Sequence, residues 1–205
     1  MKAEDLKNSI LQLAMEGKLV PQNPNDEPAS VLLEKIRDEK ERLIKAKKIK
    51  RNNKESFIFR KNGHFYEKVS KKGEPVCIDE EIPFDIPDSW EWCRFGYVVD
   101  FSLGKTPPRK ELIFWDNATT PWVTISDMVD GKIINCTQEN VNNYALEKSF
   151  KGILVPKGTL LMSFKLTVGK VSILGLDAVH NEAIISIKPF IDNNNCFRDY
   201  LFRVL

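Results

Sequence analysis

The chain has 205 residues, 42% hydrophobic and 29% charged, with a net charge of +2. These values describe a folding chain rather than a disordered or fibrous one, and the charge alone does not announce nucleic acid. No apolar run approaches the ~20 residues of a membrane span, and Glu4 and Asp5 after Lys2 break any signal-peptide pattern, so the expected setting is cytoplasmic, away from membranes.

Residues 3–16 read as an amphipathic helix, with Leu6, Ile10, Leu13 and Ala14 on one face and Gly17 as its stop. The polar stretch PQNPNDEP cannot continue it. A second helix is predicted over about Ala29–Arg51. There Ala29, Leu32, Ile36, Leu43 and Ala46 form a short heptad seam, with Glu39 and Lys50 as misfits. Residues 1–51 are thus predicted as a coiled-coil-like helical arm. Two readings stand for it: a solvated helix folding back on its own chain, or half of a helical pair that uses Leu6, Ile10, Leu13, Leu32, Ile36 and Leu43 against a partner helix. Residues 52–81 read as a basic linker with a small hairpin turning at Asn62-Gly63.

From Ile82 the texture changes to short β-branched and aromatic runs separated by turn signals. The runs are Gly96–Phe101, Pro121–Ile125, Lys132–Ile134, Gly152–Val155, Thr159–Phe164, Val168–Leu174 and Ala183–Ile187, and a terminal helix is predicted over Phe197–Leu205. The fold class is α+β: a helical arm followed by a strand-rich α+β domain over 82–205.

Charge is unevenly placed. Residues 1–75 hold 18 Lys+Arg against 12 Asp+Glu, and residues 76–205 hold 13 against 17. Within 101–175, however, there are nine basic and six acidic residues, a locally positive stretch compatible with phosphate contact.

Catalytic signatures are missing from the string. It has no GxG loop for a nucleotide-like cofactor, no GxxxxGK[ST], no GxSxG and no HExxH. Cys77, Cys93, Cys136 and Cys196 are scattered and make no CxxC, so neither a disulfide framework nor a zinc site is expected. His64 reads as a loop histidine, and the run Asp79-Glu80-Glu81 as solvated surface. Trp90, Trp92, Trp115 and Trp122 read as core rather than as base-stacking platforms. The expectation is a binding module without a catalytic or metal site.

Several ordered blocks resemble one family. LKNSILQLAMEGKLVPQNPNDEPASVLLEKI (6–36) is similar to the helical segment of the specificity subunits of type I restriction-modification systems. IPDSWEW (86–92), GKTPPRKELIFWDNATTPWVTISDM (104–128), and GTLLMSFKLTVGKVSI with HNEAI (158–184) resemble that family's target recognition domain. The resemblance implies a non-catalytic subunit that reads double-stranded DNA and docks modification and restriction subunits. S-adenosylmethionine, ATP and Mg would be bound by those partners and not by this chain. Specificity subunits carry two recognition domains and this chain shows one, so it reads as an N-terminal portion or as a half-subunit that self-pairs through its helices. Two alternatives stand beside this reading: an assembly-only subunit, and the recognition portion of a single-chain restriction-methylation enzyme.

Sequence readout needs side chains at base edges and cations on phosphates. In GKTPPRK, Lys105, Thr106, Arg109 and Lys110 are the candidates, with Arg109 expected to fork onto a guanine. Thr124, Ser126 and Asp127 follow a strand. Asp127 is expected either to accept from a cytosine amine or to cap a turn. Lys165, Thr167 and Lys170 are expected at a basic hairpin tip, and Asn181 as a polar contact.

Overall fold

A computed structural model describes residues 3–52, 55–69 and 73–205. The chain divides into two compact units, Met1–Val98 and Val99–Leu205.

In the first unit, α1 (Ala3–Met15) carries Glu4 and Asp5 in its first turn, where they favour the helix dipole. It closes with a left-handed Gly17 at φ +67°: the Gly17 N–H donates to the Ala14 carbonyl and the Lys18 N–H to that of Leu13. Helix α2 (Ala29–Lys45) buries Ile36 completely and Leu32 and Leu43 partly. It ends six residues earlier than the seam predicts. Lys47 turns left-handed at φ +56°, and the N–H groups of Lys47 and Lys48 return to the carbonyls of Ile44 and Leu43. A seam through Ala46 and Lys50 therefore does not exist, and Ile36, expected at a partner interface, is core of its own chain. The ammonium of Lys40 is also buried. It pairs with Glu55, donates to the Tyr97 carbonyl at 3.2 Å and lies 4.7 Å from the Tyr97 ring centre.

Strands β1 (Ser56–Lys61) and β2 (His64–Val69) form an antiparallel hairpin, and β3 (Val76–Cys77) adds to β2. The turn is Asn62-Gly63, both at positive φ as a tight primed turn requires. Part of this supposed linker, residues 53–54 and 70–72, lies outside the described residues. The described part is more than a linker, because Arg94 holds Glu67 at 2.5 Å and Glu81 at 2.8 Å. The IPDSWEW segment, read in sequence as the start of the recognition domain, belongs to this unit too. The Ser89 carbonyl accepts from the Ala29 N–H at 2.9 Å, and the Trp90 indole N–H donates to Gln22 at 3.0 Å. Pro87 packs on Gly17 so closely that a β-carbon there would lie 2.7 Å from it. The unit ends with the short helix α3 (Phe95–Val98), where the sequence suggested a strand.

The second unit is built on a five-stranded sheet. Its strands are β4 (Val99–Leu103), β6 (Lys132–Ile134), β8 (Leu160–Ser163), β9 (Val171–Leu174) and β11 (Ile184–Pro189), in the order β4-β11-β8-β9-β6. All neighbours are antiparallel except β9 and β6, which are parallel. A smaller sheet holds β5 (Thr120–Val123) between β7 (Glu139–Val141) and β10 (Val179–His180), with β10 parallel to β5. Successive strand residues face opposite ways, so β5 serves two cores. Val123 joins Met128, Ile134, Leu161, Leu174, Ala178 and Ile184, while Trp122 joins Phe114, Val141, Ala145 and Val179. Helix α4 (Asn143–Phe150), unpredicted, is capped by the Asn142 side chain accepting from the Ala145 N–H, and its Ala145 lies in the second core. Residues 152–155 form no strand beyond a single bridge from Val155 to Ala178. Helix α5 (Cys196–Val204) packs on β9 and β11.

Candidate nucleic-acid interface

The loop after β4 begins at Gly104, where the backbone passes so near His180 and Asn181 that a β-carbon would lie 2.0 Å from the His180 carbonyl oxygen. Lys105 then donates its N–H to that carbonyl at 2.8 Å, and the Trp122 indole donates to the Lys105 carbonyl at 3.0 Å. The Trp115 indole holds the Pro108 carbonyl at 3.0 Å. The loop is thus pinned from beneath by two tryptophans and a strand end, which leaves Lys105, Thr106 and Lys110 on the surface.

Arg109 lies between the two tryptophans. Its guanidinium is 4.6 Å from the Trp115 ring centre and 4.5 Å from that of Trp122, and it pairs with both carboxylate oxygens of Glu139 on β7. In this state it is a strut between loop and sheet, already engaged by a carboxylate, rather than a guanidinium presented to a guanine. Thr106 donates its hydroxyl to Glu182. That hydrogen bond, with one from the backbone and the nearby charges of Lys165 and Arg109, holds the Glu182 carboxyl below its usual range against the opposing effect of burial.

Four sequence blocks therefore meet at one place, the ends of the parallel pair β5–β10. Thr124 follows β5. Asn181 follows β10, and its N–H reaches the Val123 carbonyl at 3.0 Å. The Asn181 side-chain oxygen accepts from the Ala183 N–H at 3.0 Å. The 104–110 loop joins through Thr106 and Glu182, and the 164–169 tip joins through the Phe164 N–H, which donates to the Ala183 carbonyl at 3.0 Å.

Asp127 takes the capping role rather than that of a cytosine acceptor. One oxygen accepts from the Thr124 N–H and hydroxyl, both at 2.8 Å, and the other from the Gln138 N–H at 2.9 Å. Thr124 also contacts the Ser126 hydroxyl at 2.7 Å, and Ser126 is exposed. Lys170 is half-buried and donates to the Met128 carbonyl at 3.3 Å, so it braces the hairpin; Lys165 and Thr167 are exposed at its tip. Sequence reasoning missed Glu139 and the buried His180. His180 is pushed below the usual histidine range by burial, against the hydrogen bonds its ring makes to the backbone of Asn181 and Ile184. The antiparallel pairing of β7 with β5 brings Glu139 beside Trp122, and the parallel pairing of β10 with β5 brings His180 beside Val123; no local spacing announces either.

A separate trio lies in the first unit. His64, Cys77 and Asp79 bring potential metal-ligand atoms within 4.8 Å of one another on an exposed surface. The His64 Nδ1 lies 2.6 Å from Asp79, which also accepts the Phe65 N–H at 2.7 Å; these bonds, the latter first, hold the Asp79 carboxyl below its usual range.

The sequence profile of the type I restriction modification DNA specificity domain matches residues 87–205, and the chain belongs to that family. Over 99 residues it is 46% identical to the specificity subunit of the type I restriction enzyme EcoAI of Escherichia coli, a match covering 48% of this chain and 14% of that subunit. Over 94 residues it is 44% identical to the corresponding EcoEI subunit, covering 46% of this chain and 13% of that one. The chain thus matches about a seventh of the length of these relatives. Among solved structures, the HsdS subunit from Thermoanaerobacter tengcongensis aligns with a TM-score of 0.44 at 20% identity, over 58% of this chain and 28% of that one.

Proposed function

We propose that this chain is a DNA-sequence-recognition element of a type I restriction-modification complex, with the surface around Thr106, Thr124, Lys165 and Asn181 as its reading face. The observation that carries this is the convergence of the four blocks within a domain that belongs to the specificity family. Lys105, Lys110 and Lys165 supply cations at its margin, as phosphate positioning requires.

On this reading the chain performs no chemistry, works in the cytoplasm and leaves S-adenosylmethionine and ATP to modification and restriction subunits. Among the described residues no helix is long and apolar enough to cross a membrane. Docking to those subunits or to a second copy falls to α1, whose Leu6, Ile10 and Leu13 are exposed; Leu32 and Leu43 of α2 offer less surface.

The test is selection from a pool of randomised duplexes, followed by mapping of N6-methyladenine in cells that co-express a modification subunit. Enrichment of one motif, methylated in cells, is the expected result; a pool without enrichment would overturn the reading. Arg109→Ala should lower specific affinity, because loop and sheet lose their strut. The loss should be greatest for the selected motif, whereas a uniform loss with a flatter salt dependence would assign Arg109 to phosphate instead.

A further inference from the structure

The tip between β8 and β9 displays apolar side chains where a surface loop has no structural need of them. Leu166 is 94% exposed and Val168 75%. Leu166 also stands at φ +63°, a left-handed conformation that sets its β-carbon against the following carbonyl oxygen. Single exposed leucines are ordinary; two neighbouring apolar side chains raised on a strained turn are not. The loop beneath them is firmly made. The Gly169 N–H donates to the Ser163 carbonyl at 2.9 Å, the Ser163 N–H to that of Lys170 at 2.9 Å, the Lys170 N–H to the Ser163 hydroxyl at 3.1 Å, and the Ser163 hydroxyl to the Thr167 carbonyl. Lys170 ties the loop to Met128 from behind. The result is a stiff finger with apolar ends.

The finger rises beside the proposed reading face. Its base is bonded to Ala183, next to Glu182, and Lys165 lies against the Phe164 ring, 5.6 Å from its centre, and within electrostatic reach of Glu182. An apolar tip next to a lysine suits an anionic polymer whose interior is apolar, which describes stacked base pairs behind phosphates. Proteins that bend duplexes insert leucine, isoleucine, methionine or phenylalanine between base steps in this way.

We propose that Leu166, supported by Val168, is a wedge that enters the duplex at a base step and kinks it, with Lys165 on the adjoining phosphate. The proposal rests on the DNA-recognition reading above. It adds an indirect component to specificity, because a step that unstacks easily accepts the wedge at less cost.

The test uses the full chain and a duplex of about 30 base pairs taken from the randomised selection, with a fluorescent donor and acceptor at its two ends. Binding by the wild-type chain should shorten the end-to-end distance, as a kink of about 20–90° would. The double variant Leu166→Ala, Val168→Ala should lose at least about tenfold in affinity and the shortening, with the salt dependence unchanged, because no cation has been removed. Leu166→Gly should bind as weakly while melting no lower than wild type, which separates lost contact from lost fold. A double variant that binds and bends the duplex like wild type overturns the wedge and leaves the recognition reading intact. A variant that keeps its DNA behaviour but no longer self-associates overturns the wedge in favour of a protein contact. A wild-type chain that enriches no duplex overturns both.

Discussion

The two units solve the problem of stability differently. Among the described residues, the buried apolar side chains of the first unit are Ile36, Ile78 and Val98, while the second unit holds two clusters shared through β5. The first unit relies instead on closed helix ends, a tight hairpin and ion pairs such as Arg94 with Glu67 and Glu81. Such pairs contribute modestly, and a helix left with its apolar face in water is stabilised fully only when something covers it. The second unit needs no cover for its core, and can present loops whose positions are fixed from below. An apolar helix face left in water and loops fixed over a closed core place opposite demands on a surface, and here they fall to different parts of the chain.

Three changes would break or sharpen that contrast. The largest effect is expected from Gly104→Ala, which forces a β-carbon into the His180 and Asn181 carbonyls. It should cost about 4 kcal/mol or more and abolish the second unit's unfolding transition, followed by Trp115 and Trp122 fluorescence, while the hairpin and α2 persist. Simultaneous loss of both units would show that they unfold as one. Next comes Ile36→Ala, which removes the one fully buried side chain of α2. It should cost about 2–5 kcal/mol, read by thermal melting of the first unit, and leave the second unchanged.

The smallest effect is a difference in acid response. Glu67 is held at about 2, chiefly by Arg94 and then by the Ser56 hydroxyl. Its folded value lies below the unfolded value of roughly 4.3, so its contribution is complete above that pH and is lost as pH falls from there toward 2. His180 is depressed by burial. Its contribution is present above the unfolded value of roughly 6.5 and fades as pH falls through its lower folded value. The second unit should therefore begin to weaken at milder acidity than the first. His180→Gln should erase the earlier step and Arg94→Ala the later one, as measured by denaturant midpoints across pH. Identical acid profiles for the two units would contradict this assignment.

What the string disclosed, and what it concealed, follows from how far apart the partners lie. Gly17 and Asn62-Gly63 announced a helix end and a hairpin because their consequences are local. The early stop of α2 was hidden because a lysine, Lys47, occupies the left-handed position that glycine usually marks. Helix α4 was hidden because it is only eight residues long, too short for an apolar period to stand out, and its start is marked by the Asn142 side chain alone. The positions 105–110, 124–127, 165–170 and 181 were legible as polar blocks in a strand-rich domain. Their roles were not, because Arg109 is explained by Trp115, Trp122 and Glu139, and Asp127 by the Gln138 N–H, contacts that exist only after the sheets have closed. Leu166 drew no notice because hydrophobicity in a sequence is read as burial, and here it is not buried.

The pairing of Val123 with His180 also has a consequence for the order of events during synthesis. The hairpin of the first unit closes over two residues, and such closures take microseconds. The parallel pair must wait for more than fifty further residues to leave the ribosome, and long-range closures are intrinsically slow. A growing chain therefore holds α1 and α2 well before β5 and β10 can pair. Translation itself thus sets an order in which the helices and hairpin of the first unit can form before the loops of the second are drawn together.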